Sequence, residues 1–189
     1  MTAWSTLATE RGQDGQRRCA WRYPPEYVAY HDDEWGRPVT DDIRLYEKLC
    51  LEGFQSGLSW LTILRKREGF RKAFAGFDPV KVASYTERHV QRLLTDAAII
   101  RNRGKIEATI ANARATLEVQ AHSGSLAELV WSFEPKRRGR AVPVRFGDLP
   151  ATTPESSTGR RTRFGIPTRL RRSWRTCRPS ISPEMGKLA

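Results

Sequence analysis

The sequence predicts an all-α protein. Apolar residues recur every three or four positions in successive segments, the segments open on capping residues or a first-turn proline, and no alternating run of β-branched residues competes.

Residues 1–17 are polar, and Gly12-Gln13-Asp14-Gly15-Gln16 offers nothing to bury, so they read as a flexible N-terminal extension. From Asp41 onward, Ile43, Leu45, Tyr46, Leu49 and Cys50 keep the helical period behind acidic residues suited to a helix N-terminus. Glu52 then falls near the end of that helix. Leu58 to Lys66 repeats the pattern with Leu61, Ile63 and Leu64 after a break at Gly57, which puts Trp60 close to the start of a second helix. Asp78-Pro79 supplies a cap and a first-turn proline for a short helix through Ser84, and Thr86 caps the next, with Val90, Leu93 and Leu94 inward. Beyond a connection at Asp96 to Asn102, Ile106, Ile110, Ala113 and Leu117 mark one stripe. Ser125-x-x-Glu128 is a capping box for a last helix containing Leu129, Val130 and Trp131. Past Pro135 the pattern fails: Lys136-Arg137-Arg138-Gly139-Arg140 is a charge run, and the Arg-, Ser-, Thr- and Pro-rich residues 151–189 read as a tail that does not pack.

A chain of 189 residues suits one sizeable core. Thirty-three Lys and Arg against 21 Asp and Glu give a net charge of +12, which favours a polyanionic partner. The surplus is uneven, because residues 151–189 alone carry nine basic and two acidic side chains, +7, and leave +5 for the rest. Half of the bulk-charge argument for nucleic acid therefore rests on the tail. Cys19, Cys50 and Cys177 form no even framework and no apolar stretch follows a basic start, so a reduced, cytoplasmic setting is expected. Apolar runs such as Ala97 to Ile100 fall far short of the roughly 18 residues that read as a membrane span, so a spanning role is excluded.

Four constellations could carry chemistry, and each has a plainer reading. Glu87 to Glu118 is helix, connection, helix, with Ala98-Ile99-Ile100-Arg101-Asn102-Arg103-Gly104-Lys105 at the join; it could present amides and basic side chains to a phosphate, or be an ordinary helical hairpin with a solvated turn. Glu52, between Leu51 and Gly53, would need a partner if buried, yet a lone Glu near a helix end is commonly a surface residue. Cys19 and His31 are competent zinc ligands, but a structural site almost always takes four. Trp21, Tyr27, Tyr30, Trp35 and Trp60 could stack on a flipped base or simply fill a core.

Taken together, Arg18-Cys19-Ala20-Trp21, Tyr27-x-x-Tyr30-His31-Asp32-Asp33-Glu34-Trp35-Gly36, Leu51-Glu52-Gly53-Phe54-Gln55-Ser56-Gly57-Leu58-Ser59-Trp60, Phe77-Asp78-Pro79 and Ile99-Ile100-Arg101-Asn102-Arg103-Gly104-Lys105-Ile106 closely resemble the 3-methyladenine DNA glycosylase I family. The likeness runs from about residue 18 to Pro154, so the expected division is an extension at 1–17, a glycosylase-like helical domain at 18–154 and an aberrant basic tail at 155–189. It implies the helix-hairpin-helix DNA glycosylase fold and hydrolytic release of 3-methyladenine from alkylated double-stranded DNA, the first step of base-excision repair, by a monomer without strand cleavage. Glu52 would be the catalytic carboxylate and read the adenine edge, with Trp21, Tyr30 and Trp60 enclosing the base. Leu58, following Gly57, would wedge into the gap left by the flipped nucleotide, and Arg101, Arg103, Gly104 and Lys105 of the hairpin would grip the backbone.

The resemblance also implies zinc, held by Cys19, His31 and a second His and Cys near the C-terminus. Here the sequence departs. After Pro154 it gives Ser157-Thr158-Gly159-Arg160-Arg161-Thr162-Arg163 and contains no His beyond His122. A reading-frame shift near residues 157–160 would produce such a tail, leaving a half site and no last core helix. The alternative expectation is therefore a decayed, non-catalytic helix-hairpin-helix DNA-binding protein.

Overall fold

A computed structural model describes residues 9–19 and 24–134. They fall into two compact units, one reaching Arg37 and the other starting at Pro38.

In the first unit, strands β1 (Thr9–Arg11) and β2 (Arg17–Cys19) pair antiparallel, Thr9 opposite Cys19 and Arg11 opposite Arg17. The sequence reads this stretch as a polar extension; the structure pairs it with itself instead. Hydrogen bonds hold it: Gly12 N–H donates to Gln16 O at 2.8 Å, and the Arg18 guanidinium binds both the Asp14 carboxylate and Asp32. Asp32 belongs to helix α1 (Pro25–Asp33), which periodicity does not reveal because only Tyr30 and His31 of its nine residues are buried. Pro25 sets its first turn, as proline's fixed φ allows.

The second unit is all-helical, as the sequence predicts. Helix α2 (Asp42–Gln55) is capped by Asp41, whose carboxylate accepts Arg44 N–H at 2.8 Å, and buries Leu45, Tyr46, Leu49, Cys50, Leu51 and Phe54. Helix α3 (Trp60–Ala73) starts at the Ser59 cap and runs about two turns beyond the predicted Lys66. A tight turn at Ala75–Phe77 leads to α4 (Pro79–Ala83), capped by Asp78 as expected. Helices α5 (Glu87–Thr95), α6 (Arg103–Ser123) and α7 (Leu126–Ser132) complete the unit.

Its centre is aromatic. The Phe54 and Phe70 rings lie 4.5 Å apart, Phe74 and Phe77 stack at 5.6 Å, and Tyr46 meets Phe77 edge-on at 5.8 Å, distances at which ring pairs add to the gain from burial alone. The Tyr46 hydroxyl donates to Thr109 O at 2.8 Å, so this buried polar atom is satisfied and α2 is locked in register against α6.

Asp42, in the first turn of α2, also starts α7. Its carboxylate accepts the N–H groups of Leu126 and Ala127, each at 2.9 Å, and the Gln120 side-chain amide at 2.8 Å. Ser125 Oγ takes the next amide, from Glu128, so the first three N–H groups of α7 are all paired. Partial burial pushes the Asp42 carboxyl upward, but the three donors prevail and hold it below the ordinary carboxylate value. A carboxylate lowered by folding stabilises the protein fully above its unfolded pKa of about 3.9 and loses that contribution as pH falls through the lower folded value. Asp42→Ala is expected to cost about 2 kcal/mol in urea unfolding at pH 7 and to flatten the acid limb of the stability profile below pH of about 4.

Candidate active site and nucleic-acid interface

The end of α2, the turn after it and the start of α3 carry Glu52, Gly57, Leu58 and Trp60. Glu52 lies in the last turn of α2 and is partly buried. After Gln55 the chain turns: Ser56 N–H donates to Gly53 O at 3.2 Å, Leu58 N–H to Gln55 O at 2.7 Å, and Gly57 takes a left-handed φ of +81°. A side chain at position 57 would be strained there, which is why a glycine stands in this turn. The turn leaves Leu58 39% exposed, one of few exposed large apolar side chains among the described residues. Ser59 then caps α3, and Trp60, at its first position, is half-buried and packs against the core.

The predicted hairpin is α5, the connection Asp96–Asn102, and α6. Asn102 caps α6 by accepting Lys105 N–H at 3.1 Å, and Asp96 accepts Ala98 N–H at 2.8 Å, so both ends of the connection are fixed by side chains. Helix α3 buttresses it: Lys66 Nζ donates to Ala97 O at 2.6 Å, and a Cβ on Gly69 would meet Ala98 O at 2.5 Å. Only glycine permits that approach. Neither Lys66 nor Gly69 is singled out by the sequence reading, although a glycine inside a helical pattern is a signal of close packing.

The basic residues of the hairpin divide by what they touch. Arg101 is exposed and Gly104 offers open backbone at the start of α6. Arg103 is bonded to Glu87 of α5 at 2.7 Å and to Glu107 at 3.0 Å, and its guanidinium holds the Glu87 carboxyl down at about 2. Lys105 turns away from the connection, and its Nζ donates to Phe54 O at 2.8 Å and Ser56 O at 2.6 Å.

Of the remaining candidates, Tyr30 and His31 are buried residues of α1 in the first unit. His31 Nδ1 lies 2.8 Å from Asp32 Oδ1, which fixes the ring and directs Nε2 away from that carboxylate. Cys19 ends β2, and Trp21 lies outside the described residues, as does the tail expected at 155–189. Among the described residues no group of three or more His, Cys, Asp and Glu forms a metal cluster, and no helix is long and apolar enough to cross a membrane. Cys50 is buried, and burial pushes its thiol up to about 12, so it is inert at neutral pH.

Gly69→Ala is expected to destabilise the protein by about 1–3 kcal/mol through overpacking, read from urea unfolding, and to raise amide exchange at Ala98 and Ile99.

Comparison with known proteins agrees with this geometry. The family described as methyladenine glycosylase matches residues 21–161. DNA-3-methyladenine glycosylase 1 of Escherichia coli is 48% identical over 140 residues, 74% of this chain and 75% of that protein. A crystal structure of 3-methyladenine DNA glycosylase I superposes with a TM-score of 0.74 at 42% identity, covering 83% of this chain and 90% of the other. A structure of the Staphylococcus aureus 3-methyladenine DNA glycosylase I, described as revealing how 3-methyladenine is recognised, gives 0.68 at 33% identity over 77% and 78% of the two chains. With three quarters of its length matched and its helical unit built as the motifs require, the chain belongs to the methyladenine glycosylase family.

Proposed function

We propose that this protein is a DNA-3-methyladenine glycosylase, a monofunctional hydrolase that releases 3-methyladenine from alkylated double-stranded DNA and acts as a monomer. The observation that carries the reading is the placement, in a chain 48% identical to the E. coli enzyme, of Glu52, the Gly57–Leu58 turn and the hairpin within one helical unit.

The chemistry fits what these residues can supply. Methylation at N3 leaves the base positively charged, so it is already a good leaving group. The C1′–N9 bond breaks with its electron pair moving onto the base, which becomes neutral; water adds to C1′ and loses a proton to solvent. The protein's task is then to extrude the base and favour the cation over ordinary adenine. Glu52 supplies negative charge to the base edge, and Trp60 offers a ring face to a cationic π-system. The resemblance gives Trp21 and Tyr30 the same stacking role. Lys105 and Lys66 each direct Nζ to backbone carbonyls, an arrangement in keeping with hydrolysis without strand cleavage.

The DNA grip is assigned to Arg101 and the Gly104 backbone at the N-terminus of α6, and the wedge to Leu58. Zinc is a different matter. The His31 ring, oriented by Asp32, suits a ligand, and Arg18 and Asp32, the neighbours of Cys19 and His31, are bonded to each other. Among the described residues the donor set is nevertheless two, not four. His89 is taken up by the Thr86 cap and stacks on Tyr85, His122 bonds Glu118 O, Cys50 is buried in the core, and Cys177 lies outside the described residues. These residues do not fit a four-coordinate structural site, and no step above uses a metal.

Purified protein is accordingly expected to hold no stoichiometric zinc by atomic absorption; one tightly bound ion per chain would refute the half-site reading. Excision of methylated bases from DNA under single-turnover conditions is the direct test of activity. Glu52→Ala should lower the rate about 10- to 100-fold, the value of a lost charge-assisted hydrogen bond of about 1.5–3 kcal/mol. Equal base release by both proteins would remove Glu52 from the site, and none from either would leave a DNA-binding protein without catalysis.

A further inference from the structure

The first turn of α6 is electrostatically odd. It carries Arg103 and Lys105 and no acidic residue, whereas the positive end of a helix favours carboxylates. Arg103 is compensated by Glu87 and Glu107. Lys105 has another use for its charge.

The C-terminal end of α2 presents carbonyls that lack partners within the helix, at the negative end of its dipole. Gly53 O and Gln55 O are taken by amides of the turn itself. Phe54 O and Ser56 O are taken by Lys105 Nζ, reaching across 51 and 49 residues of sequence. A cation is the favoured cap at such an end, and its two short bonds fix the start of the turn that projects Leu58. The same residue's backbone N–H is held by the Asn102 cap of the hairpin. Lys105 is thus a single rigid link between the connection that faces the DNA backbone and the turn that carries the wedge.

Resting on the glycosylase reading, we propose that Lys105 is a positioning residue for base excision: it pins the Phe54–Leu58 turn to the seated hairpin and contacts no phosphate. A phosphate contact and a pin differ in what they change. Losing a phosphate contact weakens binding to any duplex and lowers the salt slope by about one, whereas losing a pin leaves binding and slope intact and slows the step after binding.

The experiment compares wild type, Lys105→Met and Lys105→Arg in single-turnover excision from methylated duplex at saturating enzyme, and in binding to undamaged duplex over a range of salt. Lys105→Met is expected to excise about 10- to 100-fold more slowly with an unchanged salt slope, the loss that a small misplacement of a positioned group brings. Lys105→Arg, which keeps two donors, restores the rate to within a few-fold. In a Leu58→Ala background Lys105→Met should cost little more, because the two act through one turn and their effects do not add. If Lys105→Met does not fold, Lys105→Gln, which keeps one donor, is read the same way. A salt slope lowered by about one, an unchanged excision rate, or additive effects with Leu58→Ala would each overturn the pin. Failure of the wild-type chain to excise would overturn the glycosylase reading itself, an outcome distinct from an active wild type with an equally active Lys105→Met.

Discussion

Helix α2 is held from outside at both of its ends, and the second unit is organised around that constraint. At its start Asp42 gathers the first amides of α7 together with Gln120 of α6; at its finish Lys105 of α6 gathers the last carbonyls. Between them the Tyr46 hydroxyl bonds Thr109 O. The three ties lie along one side of α6, so α2 can neither slide nor rotate without breaking the buried Tyr46–Thr109 bond, which would leave its polar groups unpaired at about 1–3 kcal/mol each. Glu52 and the turn after it inherit this rigidity, which is what a positioned carboxylate requires.

The net charge of +12 is a poor guide to where DNA would lie. Arg18, Arg71, Arg103 and Lys105 each spend their charge on contacts within the protein. The Arg103 pairs are solvent-exposed and add little stability, but they fix the guanidinium between the starts of α5 and α6. What remains for a polyanion at the hairpin is the exposed Arg101 and the open backbone at Gly104, a smaller and more directional surface than a count of basic residues suggests.

The sequence makes the helical unit legible wherever structure follows from local chemistry. Asp41, Asp78 and Ser125 cap helices where the sequence reads helix starts, because a short polar side chain before an apolar stripe can take the first free amides. Helix α1 stays hidden because two buried residues in nine make no stripe, and the hairpin of β1 and β2 because ion pairs through Arg18 replace the alternation that marks a strand. Family motifs bring forward Glu52, Leu58 and Trp60. They do not bring forward the function of Lys105, since its partners are backbone carbonyls some fifty positions away and any residue can supply a carbonyl. Lys66 and Gly69 escape for the same reason: what they meet is the main chain at Ala97 and Ala98.

A cationic leaving group changes what such a site must provide. Where the glycosidic bond is already weak, strong acid catalysis adds little, and the rate depends on how often the correct base is extruded and held. With Glu52 in its proposed role, discrimination would rest on geometry at the turn between α2 and α3, because a carboxylate placed a little too far away would admit neutral adenine and the methylated cation alike. That places the burden on residues touching no base at all. On the proposed reading, the buttress at Gly69, the cap at Asn102 and the lysine joining hairpin to turn would belong to the recognition apparatus as much as the base-binding residues themselves, and a survey of pocket residues alone would miss them.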